Sequence, residues 1–101
     1  MNDEGKLTEL ARVFGFAYLR ITPEDIDQDL IKEIPAKLVT HYNVMPLKSP
    51  SADVLRLAVD DPHNVSILDE IALFTGRRVE PVLAAEKDIL DAIKKFYGWV
   101  S

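Results

Sequence analysis

The segment 60–69, which reads DDPHNVSILD, holds the residue types of this sequence that are best suited to chemistry. Its candidate metal ligands or acid–base groups are Asp60, Asp61, His63 and Asp69. A catalytic zinc site needs three protein ligands that converge at about 2 Å from the ion. The chain has two histidines, and they do not occur in an H-E-x-x-H spacing. We therefore interpret the segment as a turn after a strand, in which Asp61 or Asn64 caps the helix that follows.

Other kinds of active site lack the residue or motif on which their chemistry depends. Cysteine is absent, which excludes disulfides, thiolate nucleophiles and cysteine-ligated zinc. No serine lies in a G-x-S-x-G elbow, and the isolated glycines form no G-x-x-x-x-G-K-[ST] phosphate loop. We predict no catalytic residue, no metal site and no cofactor, so an enzyme acting alone is the least favoured class.

Composition limits the class of partner. The formal net charge is −5, and an acidic domain repels phosphate backbones, so nucleic acid is not expected to bind. The short basic run Arg77-Arg78 could hold an anion, although solvated residues before a strand explain it more simply. No window approaches the roughly 18 consecutive apolar residues of a membrane span, and the N-terminus does not resemble a signal peptide. We expect a cytoplasmic protein without direct membrane insertion.

The first part of the chain, residues 1–43, is predicted to be mainly helical. One apolar stripe at helical spacing is formed by Leu7, Leu10, Ala11 and Phe14. Gly15 ends that helix. Asp27 can cap a second helix, and Pro35 breaks it and occupies the first position of a third. Residues 16–21 can form either a short strand or an extended connector.

In the second part, residues 44–101, the spacing of apolar residues predicts elements in the order β-β-α-β-α. Its predicted strands are Val44–Lys48, Leu55–Val59 and Val79–Leu83, and its predicted helices are Val65–Thr75 and Glu86–Tyr97. The first of these helices should carry Val65, Leu68, Ile71 and either Ala72 or Thr75 on its inward side. Proline cannot donate to a strand ladder, so Pro46 and Pro81 place their strands at sheet edges.

These elements predict an α+β fold in one domain, residues 1–101: a helical N-terminal half followed by a small three-stranded mixed sheet packed by helices. The first two strands should pair as an antiparallel hairpin because their connection is short. The third should lie parallel to the second, because a helix-containing connection favours a right-handed crossover. In the tail FYGWV, Trp99 can either fold onto the core or contact another domain or chain.

The chain resembles the N-terminal domain of type II secretion and type IV pilus assembly ATPases, called the MshEN or secretion-protein-E N-terminal domain. The matching segments are LTELARVFGFAYL, DLIKEIPAKLVTHYNVMPL, LRLAVDDPHNVSILDEIALFTGRRVEPVLA and EKDILDAIKKFYG. The resemblance implies a non-catalytic domain that binds the cytoplasmic part of an inner-membrane platform protein. If the chain is a fragment, its own C-terminal ATPase core is a second partner.

The resemblance also implies an alternative function, because some members of the family bind cyclic di-GMP. Those members carry an upstream motif that begins Arg-Leu-Gly, whereas the equivalent start here is GKLTELARVFGF. Arg12 and Arg20 are the arginines nearest to that position. A docking domain is thus the favoured hypothesis and a cyclic di-GMP-binding regulatory module the alternative. The candidate partner contacts are Leu7, Leu10, Phe14, Tyr97 and Trp99.

Overall fold

A computed structural model describes residues 3–63 and 66–98, with side chains from Gly5 onward. Its helices are α1 (Asp3–Phe14), α2 (Gln28–Glu33), α3 (Ala36–Tyr42), α4 (Ser66–Thr75) and α5 (Glu86–Tyr97). Its strands are β1 (Ala17–Tyr18), β2 (Val44–Leu47), β3 (Val54–Val59) and β4 (Arg78–Leu83). A single 3₁₀ turn, Pro23–Asp25, precedes α2. None of the helices in these ranges has the length and apolar character that a bilayer-crossing segment requires.

The strands form one mixed sheet in the order β1-β4-β3-β2. As predicted, β2 and β3 pair antiparallel, and β4 lies parallel to β3 after a connection that contains α4. The predicted α+β class is therefore confirmed. The predicted count of three strands is one too few, because residues 17 and 18 pair in parallel with Val82 and Leu83 of β4. Of the two alternatives for residues 16–21, the structure thus contains the short strand.

Pro46 lies in β2, an edge strand, as its missing N–H group predicts. The outer side of this strand is bonded only locally, where the Lys48 N–H donates to the carbonyl oxygen of Asp25. Successive residues of a strand alternate their amide direction, so the nitrogen of Pro46 points to the same outer side as that of Lys48. The proline therefore removes no hydrogen bond from the ladder with β3.

Pro81 does not place β4 at an edge, and this prediction is wrong: β4 lies between β1 and β3. The N–H groups of Arg78 and Ala84 donate toward the β3 side. By the same alternation, the nitrogen of Pro81 points away from β3, toward the side where β1 lies. Since β1 pairs only with Val82 and Leu83, it does not extend to Pro81. An interior strand accepts this proline because its neighbour is only two residues long.

The core lies on both faces of β3. Leu57 and Val59 are buried on one face and Ala58 on the other. The helices complete the core with Ile67 and Ile71 of α4 and Ile89 and Ile93 of α5. No polar or charged residue is buried in the part of the chain whose side chains are described. The interior is therefore a packing core, and polar chemistry is confined to the surface.

Helix ends follow the predicted signals closely. The Asp27 side chain accepts hydrogen bonds from the N–H groups of Asp29 and Leu30, which makes it the N-cap of α2. Pro35 lies one residue earlier than predicted, at the N-cap of α3, which begins at Ala36. Its extended backbone conformation at that position separates the two short helices.

Candidate functional site

The first candidate group lies at the turn between β3 and α4. Asp61 Oδ1 accepts a hydrogen bond from the His63 N–H at 2.9 Å and lies 3.1 Å from His63 Nδ1. These two donors lower the pKa of the Asp61 carboxyl, with the backbone N–H contributing most. Asp60 Oδ2 instead accepts from the side chain of Asn43 at 3.1 Å. The aspartates thus bond to different neighbours, and Asp61 closes the predicted turn.

These acidic groups do not converge. Asp69 lies on α4 and is exposed, while Asn64 lies outside the described residues. Among the residues that the structure describes, no group of three histidine, aspartate or glutamate side chains is arranged to hold a metal ion. Residues 60–63 form a turn after β3, and Val65, which was predicted to face inward, lies outside the described residues.

Two of the predicted partner contacts, Leu7 and Leu10, pack within the domain. Both are partly buried against the core, on the side of α1 where Ala11 is fully buried. They line a shallow pocket together with Asp60 and Glu86, at the carboxyl ends of the central strands. Their main role is therefore to hold α1 against the sheet.

Phe14 reaches solvent at the end of α1. Its side chain is 38% exposed, and Val13 beside it is 63% exposed. The Phe14 ring contacts the ring of His63 edge-on, with centroids 4.9 Å apart, and lies 6.2 Å from the ring of Phe16. We call Val13, Phe14 and His63 the α1 tip. It is an apolar surface in a fixed position, because the aromatic contact ties the end of the helix to the turn after β3.

Tyr97 lies far from the α1 residues. Leu7 and Leu10 meet α5 at its start, near Glu86, whereas Tyr97 is eleven residues further along, at about 1.5 Å per residue. Its ring is half-buried against the core, and burial raises the pKa of its hydroxyl to about 12. Trp99 lies outside the described residues. The structure therefore places three of the five predicted contacts on α1 and separates Tyr97 from them.

A second apolar surface, on α4, was missed by the sequence analysis. Leu73 is 87% exposed and Phe74 is 55% exposed. Charged residues flank this pair in the sequence: Asp69 and Glu70 lie on α4, Arg77 lies after its end, and Arg78 begins β4. We call the whole set the α4 patch: Asp69, Glu70, Leu73, Phe74, Arg77 and Arg78. The sequence did contain a signal for this surface: at helical spacing, Leu73 and Phe74 fall outside the stripe that contains Ile71.

Two charges of the α4 patch are held by neighbouring elements. Glu70 interacts with the hydroxyl of Tyr42 on α3, and its negative charge raises the pKa of that phenol. Arg77 Nη1 lies 3.2 Å from Glu33 Oε1 at the end of α2. Asp69 and Arg78 are exposed. Leu73 and Phe74 are therefore the exposed apolar part of the patch, while Arg77 is already paired with Glu33 and Arg78 lies in β4.

The family model described as the MshEN domain matches residues 14–99. The chain belongs to the MshEN domain family. It is similar to the type IV pilus assembly ATPase PilB of Myxococcus xanthus (strain DK1622), with 29% identity over 97 residues. The match covers 95% of this chain but only 17% of that ATPase.

Two solved structures share the fold. A structure of MshE with cdg, cyclic di-GMP, superposes with a TM-score of 0.82 at 20% identity, covering 96% of this chain and 70% of that one. The N-terminal domain of XpsE superposes with a TM-score of 0.73 at 17% identity, covering 96% and 68%. The resemblance seen in the sequence is thus confirmed: this chain is related to N-terminal domains of pilus assembly and type II secretion ATPases.

Proposed function

We propose that this domain is a non-catalytic docking module that positions an ATPase of a pilus or type II secretion machine. Its partner would be the cytoplasmic part of an inner-membrane platform protein, with the ATPase core of the same polypeptide as a second partner. In this proposal the domain works in the cytoplasm, attached to the membrane through the platform protein. The α1 tip is the observation that supports it, because an exposed apolar surface held in place by packing is suited to protein contacts.

The test is a titration of the chain into the cytoplasmic part of the platform protein that is encoded with its parent ATPase. Replacing Val13 and Phe14 together by serine should weaken binding at least tenfold. Circular dichroism and urea unfolding of the variant check that losing the Phe14–His63 contact leaves the domain folded. Leu90→Ser is the control, because Leu90 is an apolar residue of similar exposure, 42%, on a different helix, α5. Undiminished binding by the double variant would remove the α1 tip from the interface, and no binding by the parent chain would end the docking proposal.

A cyclic di-GMP-binding regulatory module is the second candidate, favoured by the close superposition on MshE with cdg. The two arginines nearest the expected motif already interact with other residues, whereas an arginine that stacks on guanine must have its side chain available. Arg12 pairs with Glu9 on the same helix, and Arg20 also has an interaction partner. Calorimetry with cyclic di-GMP, with GTP as the control ligand, separates the candidates. Micromolar binding of cyclic di-GMP alone would establish the regulatory module, and absence of heat at about 100 µM would leave docking as the function.

A further inference from the structure

A hollow lies between the 3₁₀ turn and α5, and we call it the α5 groove. Its volume is about 120 Å³. The apolar part of its wall is formed by Ile21, Pro23, Ile26, Ala92 and Phe96. An apolar cavity of about 150 Å³ can hold a benzene molecule, so the α5 groove has room for one aliphatic side chain.

Two carboxylates line the same groove. Asp88 and Asp91 lie about one turn apart on α5, and Ala92 follows on the same face of the helix. The ion pairs among the described residues use other carboxylates, those of Glu9, Glu33, Asp61 and Glu80. The charges of Asp88 and Asp91 are therefore available to a cation that enters the groove.

Lys95 is the basic side chain in the lining of the α5 groove. Its Nζ lies 5.9 Å from the centroid of the Phe96 ring, which is within the range of a cation–π contact. The groove thus already holds one ammonium group against its aromatic wall. With two carboxylates and one ammonium, the lining retains a negative charge.

A wider hollow adjoins the α5 groove and shares Lys95 and Phe96 with it. Three carboxylates and one ammonium are added there, those of Glu24, Asp27, Asp29 and Lys48. Asp27 already accepts hydrogen bonds from the N–H groups of α2. Even without Asp27, the added acids outnumber Lys48, so the surface stays negative as it widens.

We propose that the α5 groove binds a basic segment of a partner protein. One aliphatic side chain enters the hollow, and a neighbouring lysine or arginine lies beside Asp88 and Asp91. The face of α5 from Asp88 to Phe96 is about 12 Å long, which about four extended residues can span. An acidic segment would meet the carboxylates of the groove, and a second copy of the chain would bring its own net charge of −5. Charge complementarity therefore favours a basic occupant.

This proposal stands apart from platform docking, because none of the α1 tip residues lines the α5 groove. The first test titrates the ¹⁵N-labelled 101-residue chain with the peptide GLVKRG, blocked at both ends, up to about 1 mM, since short segments bind weakly. Amide shifts should change most at Ile21, Ile26, Asp91 and Ala92. The peptides GSSKRG and GLVEEG, which lack the apolar anchor or the basic pair, should bind at least fivefold more weakly.

Three results of this titration would overturn the proposal. They are absence of binding by GLVKRG, shifts that fall outside the α5 groove, and equal binding of either control peptide. Equal binding of GSSKRG would mean charge attraction alone, and equal binding of GLVEEG would mean an apolar hollow without charge selection. The variant with serine at positions 13 and 14 should bind GLVKRG like the parent chain, which separates this result from platform docking.

Single charge changes test the role of the groove lining. Asp91→Asn should weaken GLVKRG binding two- to fivefold, the range expected for one exposed charge pair, and Lys95→Gln should strengthen it. Asp69→Asn is the matched control, because it removes an exposed aspartate from another helix, α4, with the same change in net charge. About 0.5 M salt should weaken binding to the parent chain. Equal losses in Asp91→Asn and Asp69→Asn, or weaker binding in Lys95→Gln, would refute the charge contact in the groove.

Discussion

At the residue scale, the hydroxyl of Tyr97 links the fold to pH. It is shielded from solvent, and the described part of the chain provides no hydrogen-bond partner for it. Burial raises its pKa to about 12, because the phenolate would lose its hydration. In the unfolded chain the pKa is about 10. The folded state binds this proton more tightly, so the stabilisation is complete below pH 10 and is lost as the pH rises from 10 to about 12.

Tyr97→Phe should remove this titration with little change in the free energy of unfolding. Because the hydroxyl has no described partner, the free energy of unfolding at pH 7 should change by less than about 1 kcal/mol, and in the stabilising direction. The decline in stability above pH 10 should become shallower. Urea unfolding at pH 7 and pH 10.5 measures both effects. Tyr42→Phe is the contrasting control, since its hydroxyl interacts with the negative charge of Glu70. A loss above 1 kcal/mol for Tyr97→Phe would reveal a partner in the residues that are not described.

At the element scale, Asn43 joins α3 directly to β2. It ends the helix with a left-handed backbone at φ 54°, which asparagine adopts more readily than most residues. Its side-chain Nδ2 also donates to Asp60 Oδ2 at the end of β3. One residue thus supplies both a backbone conformation and a bond between neighbouring strand ends.

Two substitutions separate these contributions. Asn43→Gly keeps the left-handed backbone and loses the hydrogen bond, so it should cost about 1 kcal/mol of unfolding free energy. Asn43→Ala also adds the backbone strain and should cost about 1 kcal/mol more than the glycine variant. Urea denaturation of both variants, and of each combined with Asp60→Ala, measures the two parts. Equal stability of the alanine and glycine variants would show that the backbone here relaxes without strain.

Elements with several independent signals were predicted best. The last helix was placed at Glu86–Tyr97, as observed, because its apolar stripe, its early acids and late lysines and the following Gly98 agree. In α4, Ile71 was placed inward correctly, but the fully buried Ile67 was missed in favour of Leu68, which is only partly buried. The buried stripe of α4 is centred on Ile67 and Ile71, four residues apart, so Leu68 lies at its margin. Strand β1 is too short to show any period, so only its tertiary pairing with β4 defines it.

At the scale of the whole molecule, stability depends on the layer around β3. Leu57 is fully buried in that central strand, whereas Leu73 is 87% exposed. Leu57→Ala should cost about 2–5 kcal/mol, a large part of the roughly 5–15 kcal/mol typical of a domain. Leu73→Ala should change the unfolding free energy by no more than about 0.5 kcal/mol. Urea denaturation of this matched pair, at concentrations where the chain is monomeric, checks the assignment of core and surface. Comparable losses for both variants would contradict it.

The candidate surfaces could be predicted from the sequence only in part. Helical spacing placed Leu7, Leu10 and Phe14 on one apolar stripe. It could not show that Leu7 and Leu10 pack at the carboxyl ends of the strands while Phe14 stays partly exposed. Apolar residues of a stripe look alike in the sequence, and the fold decides which of them remain exposed. The α4 patch was missed although Leu73 and Phe74 lie off the stripe that contains Ile71, because the sequence does not show whether another element covers them.

The outward-facing nitrogens of Pro46 and Pro81 limit how the sheet can be extended. Beside β4, just before the segment covered by β1, a foreign strand would meet the ring of Pro81 instead of an amide donor. Beside β2, where Pro46 is buried, Ile26 already bridges Leu47. Templated fibril growth and strand exchange are both disfavoured by such gaps. We therefore expect copies of the domain at high local concentration to resist joining through strand pairing between their sheets.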